Sequence, residues 1–434
     1  MKLLYKNDRQ GEHAPSWYNS SCDSPARASL GTHICTDVCI IGAGFTGLSA
    51  AVELRKQGIS CVVLDAHRVG WGASGRNGGQ LGTGFNMDQR QLEASVGEPL
   101  AHAMWEIAEQ AKRWILDTCQ SHGCNIDYKS GIVSALHRKR FVKPLHDYCN
   151  YLQTHYGYES LQPLDAGTIR KHVNSRVYHG GTIDYGAGHI HPLKLAHSLA
   201  EIAELKGATI YERTEATSIH KHATRDGHRI VTPSGSVMCQ NVILATNGYL
   251  DSLNEDVGKR LMPINNFIVV TEPLGAIATE LLPQNEAVAD SRFVVNYYRR
   301  VAGDRLLFGG GENYSYNFPQ AIAPLVRRAM ISVFPQLQDI SIDYAWGGTL
   351  AITTNRLPYL AEFSPQQFTA GGYSGHGVSL ACIYGKALAD RIAGNTTLFD
   401  VLSQSPSTVF PGGPSLRPLL LATAMTAYSL LDRI

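Results

Sequence analysis

Between residues 36 and 66 the chain passes from an apolar run to an amphipathic stretch and back to an apolar run. Residues 38–41 are apolar at every position, as expected of a strand buried on both faces in a parallel sheet. Leu48, Ala51, Val52 and Leu54 then recur at helical spacing, and Gly58 stands where a helix C-terminal cap belongs. CVVLD reads as a second buried strand that ends on Asp65. Three later stretches repeat this grammar: a helix and strand within 180–219, a buried strand and small-residue turn in 241–250, and a strand, glycine turn and helix in 368–394. Residues 30–90, 180–250 and 345–395 are therefore expected to fold as one discontinuous α/β lobe. Residues 91–179 and 251–344 read differently. The first has helical spacing from Met104 to Leu116, and the second alternates like antiparallel strands in NNFIVVTEP, RFVVNYYRR and RLLFGGG. They are expected to form a second lobe, with 396–434 as a tail packed on the body.

The turn after the first strand carries the first chemistry. Gly42, Gly44 and Gly47 form G-x-G-x-x-G, and Asp65 follows 23 residues after Gly42. In that arrangement a pyrophosphate approaches backbone N–H groups at a helix N-terminus, and the acid accepts hydrogen bonds from a ribose. Six glycines crowd the loop WGASGRNGGQLGTG, residues 71–84. Such a loop can run close along a dinucleotide, with Trp71 and Leu81 anchoring its ends, Ser74 offering a hydroxyl, and Arg68 and Arg76 offering charge.

Composition narrows the classes. The 434 residues are 44% hydrophobic and 17% charged, with a formal net charge of +1, which argues against a nucleic-acid partner. No stretch is long enough to span a membrane; the apolar run 418–431 is the longest candidate and is too short. Nine scattered cysteines without a C-x-x-C pair give neither a disulfide framework nor a zinc signature, and point to a reduced, cytoplasmic protein. His189 and His191 in HIHP read as a structural turn before a helix rather than as metal ligands.

The segments TDVCIIGAGFTGLSAAVEL, VGWGASGRNGGQL, GAGHIHPL, YYRRVAGDRLLFGGG and GYSGHGVSLACIYGKALAD, with PSWYNSS before them and FPGGPSLRPLL after, resemble the D-amino-acid-oxidase-like family of FAD-dependent amine oxidoreductases. The resemblance runs from residue 15 to the end of the chain. It implies a Rossmann-like FAD-binding domain of the GR2 type with an inserted, mostly antiparallel α+β substrate domain. Carried over by position, it sets Gly42, Ala43, Gly44, Phe45, Thr46 and Gly47 at the pyrophosphate, Asp65 at the adenosine ribose, and Ala66 and Arg68 along the adenine. Gly72, Ala73 and Ser74 would continue along the phosphates, and Asn77, Gly78, Gly79 and Gln80 would pass beside the flavin ring. Ala216 would hold the adenine through its backbone, while Ala245, Thr246 and Asn247 close over the dinucleotide. Gly375, His376, Gly377 and Val378 would face the flavin pyrimidine edge, where a helix N-terminus stabilises charge on the reduced ring. His376 is expected to act through its backbone, with proton transfer as the alternative. Tyr298, Arg299, Trp346 and Arg356 are the residues expected to reach the substrate, an arginine suiting a carboxylate.

The implied reaction is hydride transfer from an amine-bearing carbon to flavin N5, followed by hydrolysis of the imine to an aldehyde and ammonia or a smaller amine. The amine would be gamma-glutamylputrescine or a similar ω-amino amide. Small amino acids of the glycine or sarcosine type are the near alternative, and a membrane-surface dehydrogenase serving a quinone is the distant one. RLLFGGG lacks the lysine that some relatives use to activate O₂, so O₂ and another electron acceptor both stay open. The loop WGASGRNGGQ offers no histidine or cysteine for flavin attachment, which favours non-covalent FAD.

Overall fold

A computed structural model describes residues 2–221, 227–251, 253–313 and 315–411. The apolar runs of the first unit do become interior parallel strands. His33–Ile41 lies between Cys61–Leu64 and Ser236–Leu244, with Thr209–Tyr211 and Gln367–Gly371 beyond them, all parallel. Tyr359–Ser364 adds an antiparallel edge, and Ser218–Lys221 with His228–Val231 completes an eight-stranded sheet. Helices Phe45–Lys56, Pro192–Leu205 and Gly377–Ile392 pack side by side over one face. Gly47 makes that packing possible: a Cβ there would lie 2.0 Å from the Gly42 carbonyl oxygen and 3.0 Å from Ile40.

The second sheet has nine strands. Its order runs Ile342–Ile352, Met262–Thr271, Arg305–Asn313, Tyr297–Val301, Ala287–Asp290, Lys129–Ala135, Gly181–His189 and Gln80–Leu81, with Leu161–Leu164 beside Gly181–His189. Only Ala287–Asp290 with Lys129–Ala135 pair in parallel among these. The sheet is mostly antiparallel, as the alternating pattern predicts.

The expected domain bounds need four corrections. Gln80–Leu81, Gly181–His189 and most of Ile342–Ile352 fall in stretches assigned above to the dinucleotide lobe, yet all three pair only within the second sheet. The helix Glu98–Ser121 falls in a stretch assigned to the substrate lobe, yet packs on Gly377–Ile392 and buries Ala101, Met104, Ala108, Ala111 and Ile115 in the same core. An amphipathic helix follows the nearest apolar face, whichever lobe supplies it. Of the tail, Thr397–Leu402 buries Phe399 and Leu402 against the helical layer, while residues 412–434, including the apolar run 418–431, lie outside the described residues.

Candidate functional site

A cavity of about 580 Å³ opens where the parallel strands end, at Ile41, Leu64 and Ala245 just past Leu244, and runs beneath the second sheet to Tyr297. The carboxyl edge of a parallel sheet is the usual crevice for a dinucleotide, because helix N-termini and loop amides converge there. Of the residues expected to bind the cofactor, Gly42, Gly44, Phe45, Thr46, Asp65, Ala66, Gly72, Ala73, Ser74, Asn77, Gly78, Gln80, Ala216, Ala245, Thr246, Asn247, Gly375, His376, Gly377 and Val378 all line it. Segments separated by hundreds of residues thus converge on one continuous space.

At one end the wall is largely backbone. Gly42 has φ of +113°, and a Cβ there would stand 2.6 Å from the Ala245 carbonyl oxygen, so only glycine lets these two strand ends cross. Helix Phe45–Lys56 begins at Gly44 without a side chain from its own N-cap, and its first amide donates instead to Ser74 Oγ at 3.0 Å. Helix Gly377–Ile392 also begins without a side-chain cap and has no acid in its first turn. Two helix N-termini therefore offer positive dipole ends to one cavity. Asp65 is held by the amides of Ala43 and His67, each at 2.8 Å, and burial raises its carboxyl to about 6. Each carboxylate oxygen keeps a lone pair for a further donor.

The loop 71–84 is fixed by its own side chains. Asn77 donates to the carbonyls of Ala73 and Ser74 and accepts from the Gly79 amide. Trp71 stacks on His67 with ring centres 3.7 Å apart, and the Arg76 guanidinium lies 4.4 Å over Trp71. Arg76 is 4% exposed, donates to Trp71 O and Gly347 O, and pairs with Asp8 at 2.7 Å. Its Nη2 has no protein partner. A cradle of glycines, two open helix N-termini and an unpaired buried guanidinium nitrogen fit an elongated anionic cofactor.

At the other end side chains form the wall. Tyr297 is slotted between two glycines: a Cβ on Gly78 would fall 2.7 Å from its ring, and one on Gly309 would fall 2.0 Å away. Its hydroxyl donates to Asn266 Oδ1, and both residues line the cavity with Ile264, Phe293, Val295, Leu350 and Ile352. Asp290 also lines this region, but it accepts from the Asn296 amide and side chain and pairs with Arg292. Arg356 stands exposed on the cavity's rim with φ of +64°. His376 lies in the wall, where burial lowers its imidazole to about 4, so it is neutral near pH 7.

Seven expected site residues sit elsewhere. Ala43 is wholly buried and acts through its amide on Asp65, and Gly47 faces Gly42 and Ile40. Arg68 turns away to Glu212 at 2.6 Å and to the Ser24 carbonyl, drawn by a fully buried carboxylate. Gly79 packs on Ile190 and Arg299. Tyr298 points to the opposite face from Tyr297, stacking on Phe308 and donating to Tyr178 at 2.9 Å. Arg299 braces the loop from behind, donating to the carbonyls of Gly78 and Ile190 and to the Tyr18 hydroxyl. Trp346 is buried beside Tyr18 and donates to Arg76 O at 3.0 Å. His189 and His191 are likewise occupied, by Asn285 O and Arg299, and by the Lys194 amide and Ser21. Sequence reasoning missed Tyr297, Asn266 and the N-terminal residues Lys2 and Leu4, which also line the cavity. The glycines at 78 and 309 were the available signal for Tyr297, since each removes a side chain that its ring would strike.

The family model for FAD dependent oxidoreductases matches residues 37–391. The chain is 36% identical to gamma-glutamylputrescine oxidoreductase of Escherichia coli, covering 98% of this chain and 99% of that one. It is 39% identical to a probable oxidoreductase, OrdL, of Rhizobium meliloti, over 96% and 97% of the two chains. Among solved structures, glycine oxidase of Geobacillus kaustophilus superposes with a TM-score of 0.69 at 22% identity, covering 83% of this chain and 95% of the other.

Proposed function

Because the chain belongs to the family of FAD-dependent oxidoreductases, we propose that it oxidises amines, with an ω-amino amide such as gamma-glutamylputrescine as its preferred substrate. Bound FAD supplies the electron-accepting ring that takes hydride from the carbon bearing the amine. Gly42, Gly44, Asp65, Ser74 and the N-terminus of helix Phe45–Lys56 would hold its dinucleotide part, and Asn77, Gly78, Gln80, Gly375 and the N-terminus of helix Gly377–Ile392 its ring.

The observation that carries the amine reading is the wall around Tyr297. Ile264, Phe293, Leu350 and Ile352 make that end apolar, and its one carboxylate, Asp290, is committed to Asn296 and Arg292. A desolvated amine has a lowered pKa and enters the reaction neutral, as loss of hydride requires. Asn266 fixes the Tyr297 ring as one side of the slot. No general base is needed, and neutral His376 contributes its backbone at the start of helix Gly377–Ile392. The exposed Arg356 on the cavity rim suits a carboxylate such as a γ-glutamyl group carries.

Likeness in fold to glycine oxidase keeps a small amino acid as the second reading. Such a substrate needs a cation close to its reacting carbon, and the apolar wall supplies none. Turnover of gamma-glutamylputrescine, putrescine, glycine and sarcosine, read as aldehyde and as peroxide, tests both. The expected result is the highest kcat/KM for gamma-glutamylputrescine. A preference for glycine or sarcosine, or no turnover of any amine, overturns the reading.

A further inference from the structure

The N-terminal segment crosses the outside of the cavity before the first strand begins, upstream of residue 37 where the family match starts. Lys2 and Leu4 line the cavity beside Asp65, Ala66, Glu215 and Asp251. The segment is tied down at each step. The Leu3 and Leu4 amides donate to the Asp251 carboxylate, and Lys2 pairs with Glu215, which also accepts from the Tyr5 hydroxyl at 2.7 Å. His67 accepts from the Gly11 amide at Nδ1 and meets the Leu4 carbonyl at Nε2, 2.9 Å each, which assigns its neutral tautomer with the proton on Nε2. Further on, the segment reaches the other lobe. Asn7 donates to Tyr316 O at 2.8 Å and accepts from the Phe318 amide at 2.9 Å, and Asp8 pairs with Arg76 of the flavin-side loop.

We propose that residues 2–8 are part of the FAD site: a strap that forms the outer wall of its adenosine end and must release before the cofactor leaves. This rests on FAD as the cofactor, and on Asp65 and Ala66 marking the adenosine end at the edge of strand Cys61–Leu64. Three features argue for a built element over a loosely packed terminus. Its contacts fall on both lobes, and two of its side chains reach the cavity. Asp8 also neutralises Arg76, the cationic side chain with the unpaired nitrogen. A short segment, Leu3–Tyr5 being one 3-10 turn, that is held by many separate contacts of modest strength opens as a unit, so it controls the rate of exchange more than the chemistry.

The test uses the full chain with Tyr5→Phe and Asn7→Ala combined, since neither residue lines the cavity. FAD release is followed by flavin fluorescence after dilution of the holoenzyme, and ADP and FMN are titrated against the apoprotein. The strap predicts at least five-fold faster FAD release and weaker ADP binding, with FMN affinity unchanged. A single Lys2→Ala chain, which removes a cavity-lining side chain and no fold contact beyond Glu215, should show the same pattern at smaller size. Release of FAD at the wild-type rate in both chains overturns the proposal. Equal loss of ADP and FMN binding also overturns it, because that would report general loosening.

Discussion

The two ends of the cavity are made of different material. Around Gly42, Gly44, Ala245 and Gly377 the wall is backbone, and what matters at each glycine is the absence of a side chain. Around Tyr297 and Asn266 the wall is side chain, and what matters is which face of a strand each residue occupies. The first kind of site leaves a mark in the sequence, because glycines at fixed spacing have few other uses. The second leaves almost none, since a strand reads the same whichever face turns inward.

The largest effect should follow from filling a backbone contact. Gly47→Val puts atoms on a Cβ already 2.0 Å from the Gly42 carbonyl, so the chain should purify without flavin, which its absorption spectrum will show. At the side-chain end, Tyr297→Ala should keep FAD and lower kcat/KM by roughly 100-fold, about 2.7 kcal/mol, through loss of the slot's ring wall. Its neighbour sharpens the contrast. Tyr298→Phe should leave kcat/KM unchanged and cost about 1 kcal/mol of stability, the worth of its bond to Tyr178, measured by denaturant unfolding.

That pair shows where the sequence stops being informative. The run YYRR announces a strand, and alternation correctly opposes Tyr298 to Tyr297 and Arg299. Which side is the cavity depends on Phe308 and Phe334 drawing Tyr298 into the core, contacts made across 10 and 36 residues that no local pattern reveals. Arg68 and Arg299 were misplaced for a related reason. Their charge suits a ligand equally well, but buried Glu212 captures one and loop carbonyls capture the other. By contrast, the parallel strands, the glycine turns and Asp65 were legible, because each rests on a short-range constraint of spacing and backbone freedom. The strap at residues 2–8 was invisible, as its composition is that of any polar terminus.

Asp65→Asn should weaken FAD binding by about ten-fold in equilibrium titration, since the amide nitrogen brings a donor into a place occupied by two donating amides. Acid gives a broader test of the backbone end. Burial lowers His13, His189 and His191 to about 3, and His67, His197 and His376 to about 4. Their unfolded values are near 6.5, so below that pH the unfolded chain binds more protons than the folded one. Stability is therefore lost as pH falls from about 6.5 through 4, and FAD release should accelerate over the same window as His67 gives up its bond from Gly11. Unfolding midpoints and flavin fluorescence across pH 4–7 check this; a flat profile would contradict it. The smallest effect belongs to the rim. Arg356→Ala should raise KM about five-fold for an amine carrying a distal carboxylate and leave an uncharged amine unaffected.

The most direct measurement is the visible spectrum of the FAD-loaded protein during anaerobic titration with gamma-glutamylputrescine. Bleaching of the oxidised flavin band, complete at saturating amine and nearly lost in Tyr297→Ala while Tyr298→Phe behaves as wild type, is the predicted result. A band that stays unchanged with every amine, or that bleaches equally well in the Tyr297 variant, would contradict an amine slot built on that face of the strand.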